Sequence, residues 1–393
     1  MNASVVLTSA HVVDRVLRGG AYSNVLIRSV CRDSPDGPEI QGLVYTVLRY
    51  TGAIDTRIEA SANRSVSSID PRILDILRVV GASAGAGRAH SGLVVDSGVR
   101  AAKRISPKAA GFVNAVSRRL CEIGIFSNSG DVVDDLGVPA WLYSDLAGSW
   151  GEEEASKFFV ASARSPQVGV RVRPGGTPPL VGVPVGGIQG AFLFAGGELG
   201  EGLVVQDPAS VAVGNACGDL AGLEVLDVAA APGTKTLQLM DGGAERIVAM
   251  DVHRRRVGDG AKRIPQATWI IGDGSCPPFR DRTFDVVLVD APCSGLGTLR
   301  RRPEIRYRVT PSEIERLSNL QRQMIEASLG LVRPGGRLVY SVCTVTNEET
   351  RDAVSGLGAH PPEGLPGRPS GDGWLLAPHL GPTDGMFLAV LDL

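Results

Sequence analysis

The spacing of apolar residues divides the chain into a helical part and a part in which strands and helices alternate. Asp70-Pro71 can cap and start a helix, and the apolar residues after it recur at helical spacing. These residues are Ile73, Leu74, Leu77 and Val80. Residues 42–50 and 109–120 have the same pattern, and no run up to about residue 125 alternates convincingly as a strand does. The sequence therefore predicts an all-α unit at the N-terminus.

Glycine and proline mark the middle of the chain. Residues 127–140 contain Gly137 and Pro139 together with several aspartates, a composition typical of a linker. A shorter helical pattern covers residues 141–163, and glycine and proline then dominate residues 171–202. Short apolar runs within this last segment predict small strands joined by turns. We therefore expect linker helices followed by a small α+β region.

The pattern changes at Gly222, from which point short apolar runs alternate with helix-length segments. The predicted buried strands are residues 223–228, 246–250, 268–271, 284–289 and 337–342. Residues 310–313 (Thr-Pro-Ser-Glu) form a capping box that begins a helix, and Pro334-Gly335-Gly336 is expected to end it. This alternation is typical of a parallel, doubly wound α/β sheet. The predicted parts are residues 1–126, an all-α domain; residues 127–221, linker helices with a small α+β subdomain; and residues 222–393, a Rossmann-like α/β domain.

Composition narrows the class of protein. The length of 393 residues fits two or three folded units, and 43% hydrophobic residues allow substantial cores. The net charge of -2 excludes a general polycation, so any nucleic acid must be bound by local basic patches. No apolar run approaches the ~18–20 residues of a membrane span, and the first residues lack the pattern of a signal peptide. We therefore expect a cytoplasmic protein, without a membrane partner, that is a monomer.

The six cysteines are scattered and form no Cys-x-x-Cys pair, and no histidine stands at metal-ligand spacing from them. They are Cys31, Cys121, Cys217, Cys276, Cys293 and Cys343. The sequence therefore predicts neither disulfides nor a metal site.

The loops that follow the predicted strands point to a cofactor, because ligands of open α/β sheets bind beyond the carboxyl ends of the strands. A turn of small residues, 229–235, follows the first strand; it lacks Gly-x-Gly-x-x-Gly, and Thr234 replaces the glycine of a P-loop. The next strands end at Asp251 and Asp273, where carboxylates can accept hydrogen bonds from ribose hydroxyls and an adenine amino group. Recognition of a nucleoside without a pyrophosphate indicates S-adenosylmethionine, with a generic Rossmann enzyme as the alternative. The candidate cofactor-binding residues are Ala229, Ala230, Ala231, Pro232, Gly233, Thr234, Lys235, Asp251, Asp273 and Asp290.

Two cysteines and an aspartate follow the last two predicted strands. Asp290 and Cys293 come after one strand and Cys343 after the other, so all three are expected at the same rim of the sheet. A lone cysteine is usually a small buried hydrophobe, but two of them over a cofactor pocket favour a catalytic role. A zinc nucleobase deaminase would need Pro-Cys-x-x-Cys, and Leu296 occupies the second cysteine position, which excludes that enzyme.

These motifs resemble those of the RNA cytosine-C5 methyltransferases. The matching segments are 206–210 (QDPAS), 230–235 (AAPGTK), 273–274 (DG), 290–295 (DAPCSG), 300–304 (RRRPE), 341–343 (SVC) and 383–387 (TDGMF). Residues 42–50 and 110–116 are similar to the NusB-like helical domain of the RsmB/Sun branch, which acts on bacterial 16S rRNA. The family usually has Pro-Gly-Gly-Lys where this chain has Thr234 as the third residue, so Thr234 must avoid positive φ. The family commonly has threonine where this chain has Val342.

The resemblance implies an S-adenosylmethionine-dependent rRNA (cytosine-C5)-methyltransferase whose helical domain binds RNA. It assigns the nucleophile that adds to cytosine C6 to Cys343, the contact to cytosine N3 to Asp290, and removal of the C5 proton to Cys293. In DNA cytosine methyltransferases the Pro-Cys cysteine is the nucleophile, so the residues alone leave the roles of Cys293 and Cys343 open.

The expected partner is unassembled small-subunit rRNA, whose target base must be unstacked to reach the pocket. Arginines after the Cys293 loop are predicted to bind its phosphates, the competing interpretation being a solvated charged face. These arginines are Arg300, Arg301, Arg302 and Arg306. The alternatives are a tRNA cytosine-C5 methyltransferase, a catalytically weak rRNA-binding assembly factor of the same fold, and a small-molecule methyltransferase, which would have no use for the helical domain.

Overall fold

A computed structural model describes residues 1–85, 90–123 and 131–393. It divides the chain into two compact units. Unit 1 comprises Met1–Arg164 and Leu299–Arg308, and unit 2 comprises Ser165–Thr298 and Val309–Leu393. These boundaries differ from the predicted ones, because the linker helices and a ten-residue segment of the expected catalytic part both pack with the N-terminal helices. Residues 127–130 of the predicted linker lie outside the described residues.

Unit 1 is helical, and the prediction of an all-α N-terminal part is confirmed. Its α-helices are α1 (Ala3–Leu17), α2 (Ser23–Cys31), α3 (Gly37–Ala62), α4 (Pro71–Gly85), α5 (Ser91–Ile105), α6 (Ala110–Ile123), α7 (Val132–Leu136), α8 (Ala140–Trp150) and α9 (Glu152–Ser162). Short 3₁₀ helices cover Val66–Ser68, Pro107–Ala109 and Pro303–Tyr307. The core consists of the apolar faces of α1, α3, α4, α5 and α6, where branched aliphatic side chains are fully buried. The predicted helix after Asp70 begins at Pro71, as its capping residue requires.

The segment Leu299–Arg308 is fixed in unit 1 by polar contacts. Glu304 is 0% exposed and accepts hydrogen bonds from the backbone N–H of Ser23 at 3.1 Å and from its hydroxyl at 3.0 Å. Arg308 donates to the backbone carbonyl oxygens of Val16, in the last turn of α1, and of Ala21, after that helix. The chain therefore leaves unit 2 at Thr298, contributes this segment to unit 1 and returns at Val309.

Unit 2 contains two sheets. The smaller is antiparallel, with the order β2-β3-β1-β4. Its strands are β1 (Val168–Val172), β2 (Gly182–Pro184), β3 (Ala191–Phe194) and β4 (Leu203–Val205). The predicted small strands within residues 171–202 therefore form one sheet, which is followed by α10 (Pro208–Ala216). Asp207 caps α10, its carboxylate accepting from the backbone N–H of Ala209 at 2.9 Å.

The larger sheet has eight strands in the order β10-β11-β12-β9-β8-β5-β6-β7. Its elements in chain order are β5 (Glu224–Val228), α11 (Thr234–Asp241), β6 (Arg246–Asp251), α12 (Arg254–Arg263), β7 (Thr268–Ile271), β8 (Phe284–Asp290), α13 (Pro311–Leu329), β9 (Val332–Val342), α14 (Arg351–Val354), β10 (Arg368–Ser370), β11 (Gly373–Leu376) and β12 (Met386–Asp392). Strands β5 to β9 are parallel, which confirms the predicted Rossmann-like core. Strand β5 lies between β6 and β8. The chain therefore builds the sheet from β5 towards β7 on one side and from β8 towards β9 on the other, and the switch point lies between β5 and β8.

Two features of the larger sheet differ from expectation. The three last strands are antiparallel to their neighbours, so the sheet is mixed. Helix α13 ends at Leu329, and Pro334–Gly336 lies within β9, so the prediction that these residues end the helix is wrong. Gly335 has φ 81° there, and the pairing between β8 and β9 shifts register beside it. No helix among the described residues is long and apolar enough to cross a membrane.

Candidate active site

The turn after β5 brings backbone close to the carboxyl edge of the sheet. Ala229 has φ 60° and Gly233 has φ 95°, and the Ala231–Pro232 peptide bond is cis. A Cβ atom on Gly233 would lie 2.8 Å from Ile264 Cδ1, so the turn requires glycine there for both conformation and space. Thr234 is the first residue of α11 and avoids positive φ, as its side chain demands. The turn thus ends at a helix N-terminus whose first N–H groups have no intrahelical partners.

Asp251, at the end of β6, connects this turn to the next loop. Its Oδ1 accepts from the backbone N–H of His253 at 2.8 Å, and its Oδ2 accepts from the backbone N–H of Ala231 at 3.3 Å. Each carboxylate oxygen has a further lone pair, so the group can also accept from ribose hydroxyls. Asp273 lies after β7, where Oδ1 accepts from the backbone N–H and hydroxyl of Ser275; these bonds lower the pKa of Asp273.

Two exposed apolar residues beside these acids were not identified from the sequence. Val252 is 57% exposed and Ile271 is 53% exposed, and Ile271 pairs with Asp251 across the β6–β7 ladder. Large apolar side chains left open next to hydrogen-bond acceptors fit the faces of an adenine ring. The residues 229–235, 251 and 273 together with this pair therefore fit S-adenosylmethionine. The ends of the predicted strands located the two acids in the sequence. The exposure of Val252 and Ile271 could not be predicted, because a local apolar run does not show which of its side chains stay open to solvent.

The turn also supplies a cation to the acid at the end of β8. Lys235 Nζ lies 2.7 Å from Asp290 Oδ2, and the hydroxyl of Ser341 donates to Asp290 Oδ1 at 2.9 Å. Burial lowers the pKa of Lys235, but the charge of Asp290 and its hydrogen bond outweigh burial, so the pKa is raised and the ammonium keeps its proton. The structure therefore pairs Lys235, predicted as a cofactor residue, with Asp290, the predicted catalytic acid.

The two cysteines lie side by side. Cys293 Sγ and Cys343 Sγ are 3.3 Å apart, although they belong to loops after different strands. The hydrogen bond between these thiols raises the pKa of Cys293 well above its usual value, and burial raises it further. Lys235 interacts electrostatically with Cys343, which favours negative charge on that sulfur. The structure thus brings together Asp290, both cysteines and one ammonium group.

Close backbone contacts lock the loops that carry the cysteines. The N–H of Gly297 donates to the carbonyl oxygen of Cys343 at 3.0 Å, and the N–H of Gly385 donates to Gly297 O at 2.8 Å. A Cβ atom on Gly297 would lie 2.0 Å from Gly385 O, so only glycine permits this approach. The N–H of Asp384 donates to Asp207 Oδ1 at 3.1 Å. These contacts explain why the segments 206–210 and 383–387 belong to the same set of motifs as the cysteines.

A further carboxylate lies beneath the site. Asp227 in β5 is 0% exposed; its Oδ2 accepts from the hydroxyl of Thr236 at 2.6 Å, and its Oδ1 has no hydrogen-bond partner among the described residues. Burial raises the pKa of Asp227 to about 7, and the negative charge of Asp290 contributes, whereas the Thr236 bond opposes the rise.

The predicted RNA-binding arginines lie in unit 1. Arg300, Arg301 and Arg302 are half-buried, and the carbonyl oxygen of Arg300 accepts from the guanidinium of Arg49 at 3.0 Å. Arg306 is 1% exposed and donates through Nε to Pro303 O, so its guanidinium has no open face for a phosphate. For Arg306 the burial contradicts the expected exposed contact, because the segment packs its side chain inward.

Two family models match this chain. The family model of the 16S rRNA methyltransferases RsmB/F matches residues 221–392, and that of the NusB family matches residues 10–121. The ribosomal RNA small subunit methyltransferase B of Thermus thermophilus is 33% identical over 372 residues, covering 90% of this chain and 87% of that protein. A putative methyltransferase of Mycobacterium tuberculosis is 31% identical over 429 residues, covering 94% and 92%. The crystal structure of the protein PH0851 has a TM-score of 0.80 at 21% identity, covers 100% of this chain and 99% of its own, and resembles it in fold.

Proposed function

This chain belongs to the family of ribosomal RNA small subunit methyltransferase B, and from that membership we propose that it methylates C5 of a cytosine in small-subunit rRNA. The observation that carries the cytosine-C5 chemistry is the pair of thiols 3.3 Å apart, next to an acid that is itself paired with an ammonium group. When bound, S-adenosylmethionine supplies the electrophilic methyl group. All other steps fall to side chains of this chain.

Cytosine C5 is a poor nucleophile, which is why a thiol is needed. Addition of a thiolate to C6 moves the electrons of the C5–C6 double bond into the ring and makes C5 an enamine carbon that can attack a methyl group. We assign this addition to Cys343. The position of Lys235 supports the assignment, because it interacts with Cys343 as a nearby positive charge.

Charge that develops on the ring during addition reaches N3. An ionised carboxylate only accepts hydrogen bonds, so Asp290 can serve N3 only with a proton that it shares. Lys235 holds such a proton on Nζ, 2.7 Å from Asp290 Oδ2, and shares it through this hydrogen bond as charge develops on N3. We assign stabilisation of N3 to this pair, and the Ser341 hydroxyl fixes the other oxygen of Asp290. Cys293 acts as the base in its thiolate form, after its own thiol proton has passed to solvent, and takes the C5 proton. N3 returns the shared proton to the Asp290–Lys235 pair, the C6–S bond breaks, and Cys343 leaves as a thiolate, which restores the C5–C6 double bond.

A denaturing gel tests the cysteine roles. Cys343→Ala should abolish methylation without trapping RNA, whereas Cys293→Ala should accumulate a protein–RNA adduct that survives denaturation, because elimination fails. Cys276→Ala is the matched control, since Cys276 is an exposed free cysteine elsewhere in unit 2. Exchanged behaviour of the two variants would reverse the roles, and retained activity with no adduct from either would remove the covalent mechanism.

The substrate is tested by offering the full-length protein free 16S rRNA, assembled small subunits and tRNA, with bisulfite sequencing of the products. We propose that unassembled rRNA is methylated fastest and that the helical domain, predicted as residues 1–126, helps to select it. Lys103 and Arg104 are exposed basic residues in the last turn of α5, so Lys103→Glu and Arg104→Glu should weaken discrimination between RNAs without changing cofactor affinity. Faster methylation of tRNA by the parent protein would contradict the rRNA assignment.

A further inference from the structure

We propose that Glu349 is a positioning residue that holds the two cysteine loops at their working separation. The inference rests on the proposed function, because it concerns the reaction of Cys293 and Cys343. Glu349 lies between β9 and α14, is 0% exposed and takes no part in the steps assigned above.

The carboxylate of Glu349 accepts hydrogen bonds from three parts of unit 2. Oε1 accepts from the backbone N–H of Ser294 at 2.7 Å and from Gln321 Nε2, in α13, at 3.1 Å. Oε2 accepts from the hydroxyls of Ser294 at 2.5 Å, Thr344 at 3.0 Å and Thr346 at 3.0 Å. A buried carboxylate satisfied by this many donors fixes all of them, because each donor would be costly to leave unpaired.

Two of these donors are next to the thiols. Ser294 directly follows Cys293, and Thr344 directly follows Cys343. The Ser294 and Thr344 hydroxyl oxygens are 2.7 Å apart, within hydrogen-bond distance of each other, and each also lies within hydrogen-bond distance of Glu349 Oε2. Glu349 therefore contacts both loops at once, and it also holds the backbone N–H of Ser294, which the hydroxyl pair does not reach. The 3.3 Å separation of the thiols follows from this arrangement.

Substitutions of Glu349 can separate the effect of side-chain length from the effect of negative charge. In Glu349→Asp the carboxylate retreats by about one carbon–carbon bond, ~1.5 Å, so it cannot contact both loops as they stand. In Glu349→Gln the amide keeps the reach: its oxygen can accept from Ser294 and Gln321, and its NH₂ can donate to hydroxyls, which also accept. Positioning therefore predicts that Glu349→Gln is milder than Glu349→Asp, and a requirement for charge predicts the reverse.

The first measurement follows the distance between the thiols and does not depend on methylation. In glutathione buffers, one glutathione disulfide oxidises both thiols to a Cys293–Cys343 disulfide and is released as two reduced glutathione molecules; peptide mass mapping identifies the pair. Glu349→Asp should weaken formation of this disulfide by about tenfold or more, since the loops separate, and Glu349→Gln by less than about threefold. Glu348→Asp, which alters an exposed neighbour, should match the parent.

The second measurement compares kcat with cofactor binding. Glu349→Asp should lower kcat by about 100-fold, because a displacement near 1 Å costs that much, and Glu349→Gln should recover at least about tenfold of the loss. Calorimetry should give the parental Kd for S-adenosylmethionine in both variants, because Glu349 does not contact the turn at 229–235. That result also shows that unit 2 is folded.

The outcomes separate the two proposals. Parental kcat and parental disulfide formation in Glu349→Asp would overturn the positioning role, as would a larger loss in Glu349→Gln than in Glu349→Asp. If Glu349→Asp fails to bind the cofactor, Glu349→Gln decides alone: near-parental disulfide formation and kcat support positioning, and a loss above tenfold refutes it. If the parent protein methylates no cytosine, the proposed function is rejected. If Glu349→Asp still shifts the disulfide equilibrium in that case, the positioning role stands.

Discussion

Replacing Asp227 by asparagine should change how the stability of unit 2 depends on pH. Burial raises the pKa of Asp227 to about 7, against an ordinary value of 3.8. The folded state therefore binds this proton more tightly than the unfolded chain does. The resulting stabilisation is fully present below a pH of about 4 and is lost progressively as the pH rises through about 7. Asparagine has the same shape and does not titrate, so Asp227→Asn removes this contribution.

The size of the effect follows from the two pKa values. Each pKa unit corresponds to about 1.4 kcal/mol, so the difference between 3.8 and about 7 amounts to about 4 kcal/mol over the whole range. Between about pH 5 and pH 8 the part that changes is roughly 2–3 kcal/mol. The free energy of unfolding of the parent should thus fall by that much relative to Asp227→Asn over this interval.

Urea unfolding of the full chain at several pH values measures this difference. Trp141→Phe and Trp150→Phe in both proteins leave Trp269 and Trp374, which lie in unit 2, as the fluorescent reporters. Asp259→Asn, at an exposed carboxylate of α12, is the control and should leave the pH dependence unchanged. Parallel curves for the parent and Asp227→Asn would refute the reasoning, because they would show that the buried carboxylate has no raised pKa.

Three further substitutions give specific expectations. Asp251→Ala should weaken S-adenosylmethionine binding by about 1–3 kcal/mol, because ribose hydroxyls lose their acceptor; an unchanged Kd by calorimetry would contradict the assignment. Lys235→Met should lower kcat by about 100-fold or more in a methyl-transfer assay, since Asp290 loses the ammonium 2.7 Å away; parental kcat would exclude the pair from the reaction. Ser23→Ala leaves the buried carboxylate of Glu304 with one donor fewer and should destabilise unit 1 by about 1–3 kcal/mol in thermal unfolding; an unchanged transition would show that this contact does not anchor the segment.

Local pattern was sufficient for the starts of α4 and α13, for the five parallel strands and for the motif positions. The capping residue and proline at 70–71 begin α4, and the N-cap Thr310 begins α13, because capping depends on residues within one turn. Short apolar runs correctly predicted the five parallel strands β5 to β9, because strands that are buried on both faces are apolar along their length. Because parallel strands present their carboxyl ends at one edge, the sequence also predicted that Asp290, Cys293 and Cys343 would lie near one another.

Some local patterns were ambiguous and led to wrong or missing elements. Pro334–Gly336 resembles a signal that ends a helix, but it lies within β9. Glycine at positive φ is found both after helices and at irregular positions in strands, so the local sequence fits both. Strands β10 to β12 were not predicted, although β12 is buried for six of its seven residues. Their antiparallel order depends on how the chain returns to β9, and no local signal specifies it.

The sequence by itself determined the five parallel strands and the positions of the turn at 229–235, of Asp290 and of the two cysteines, because these follow from periodicity and from residues adjacent in the chain. The tertiary structure decided which groups meet. Glu349 contacts Ser294 55 positions away, and Glu304 contacts Ser23 281 positions away. Hydrogen bonds over such separations depend on how elements pack, and packing also buries Arg306, whose sequence context reads as an exposed basic patch. The distances that bring Lys235 to Asp290 and the two thiols together are set in the same way.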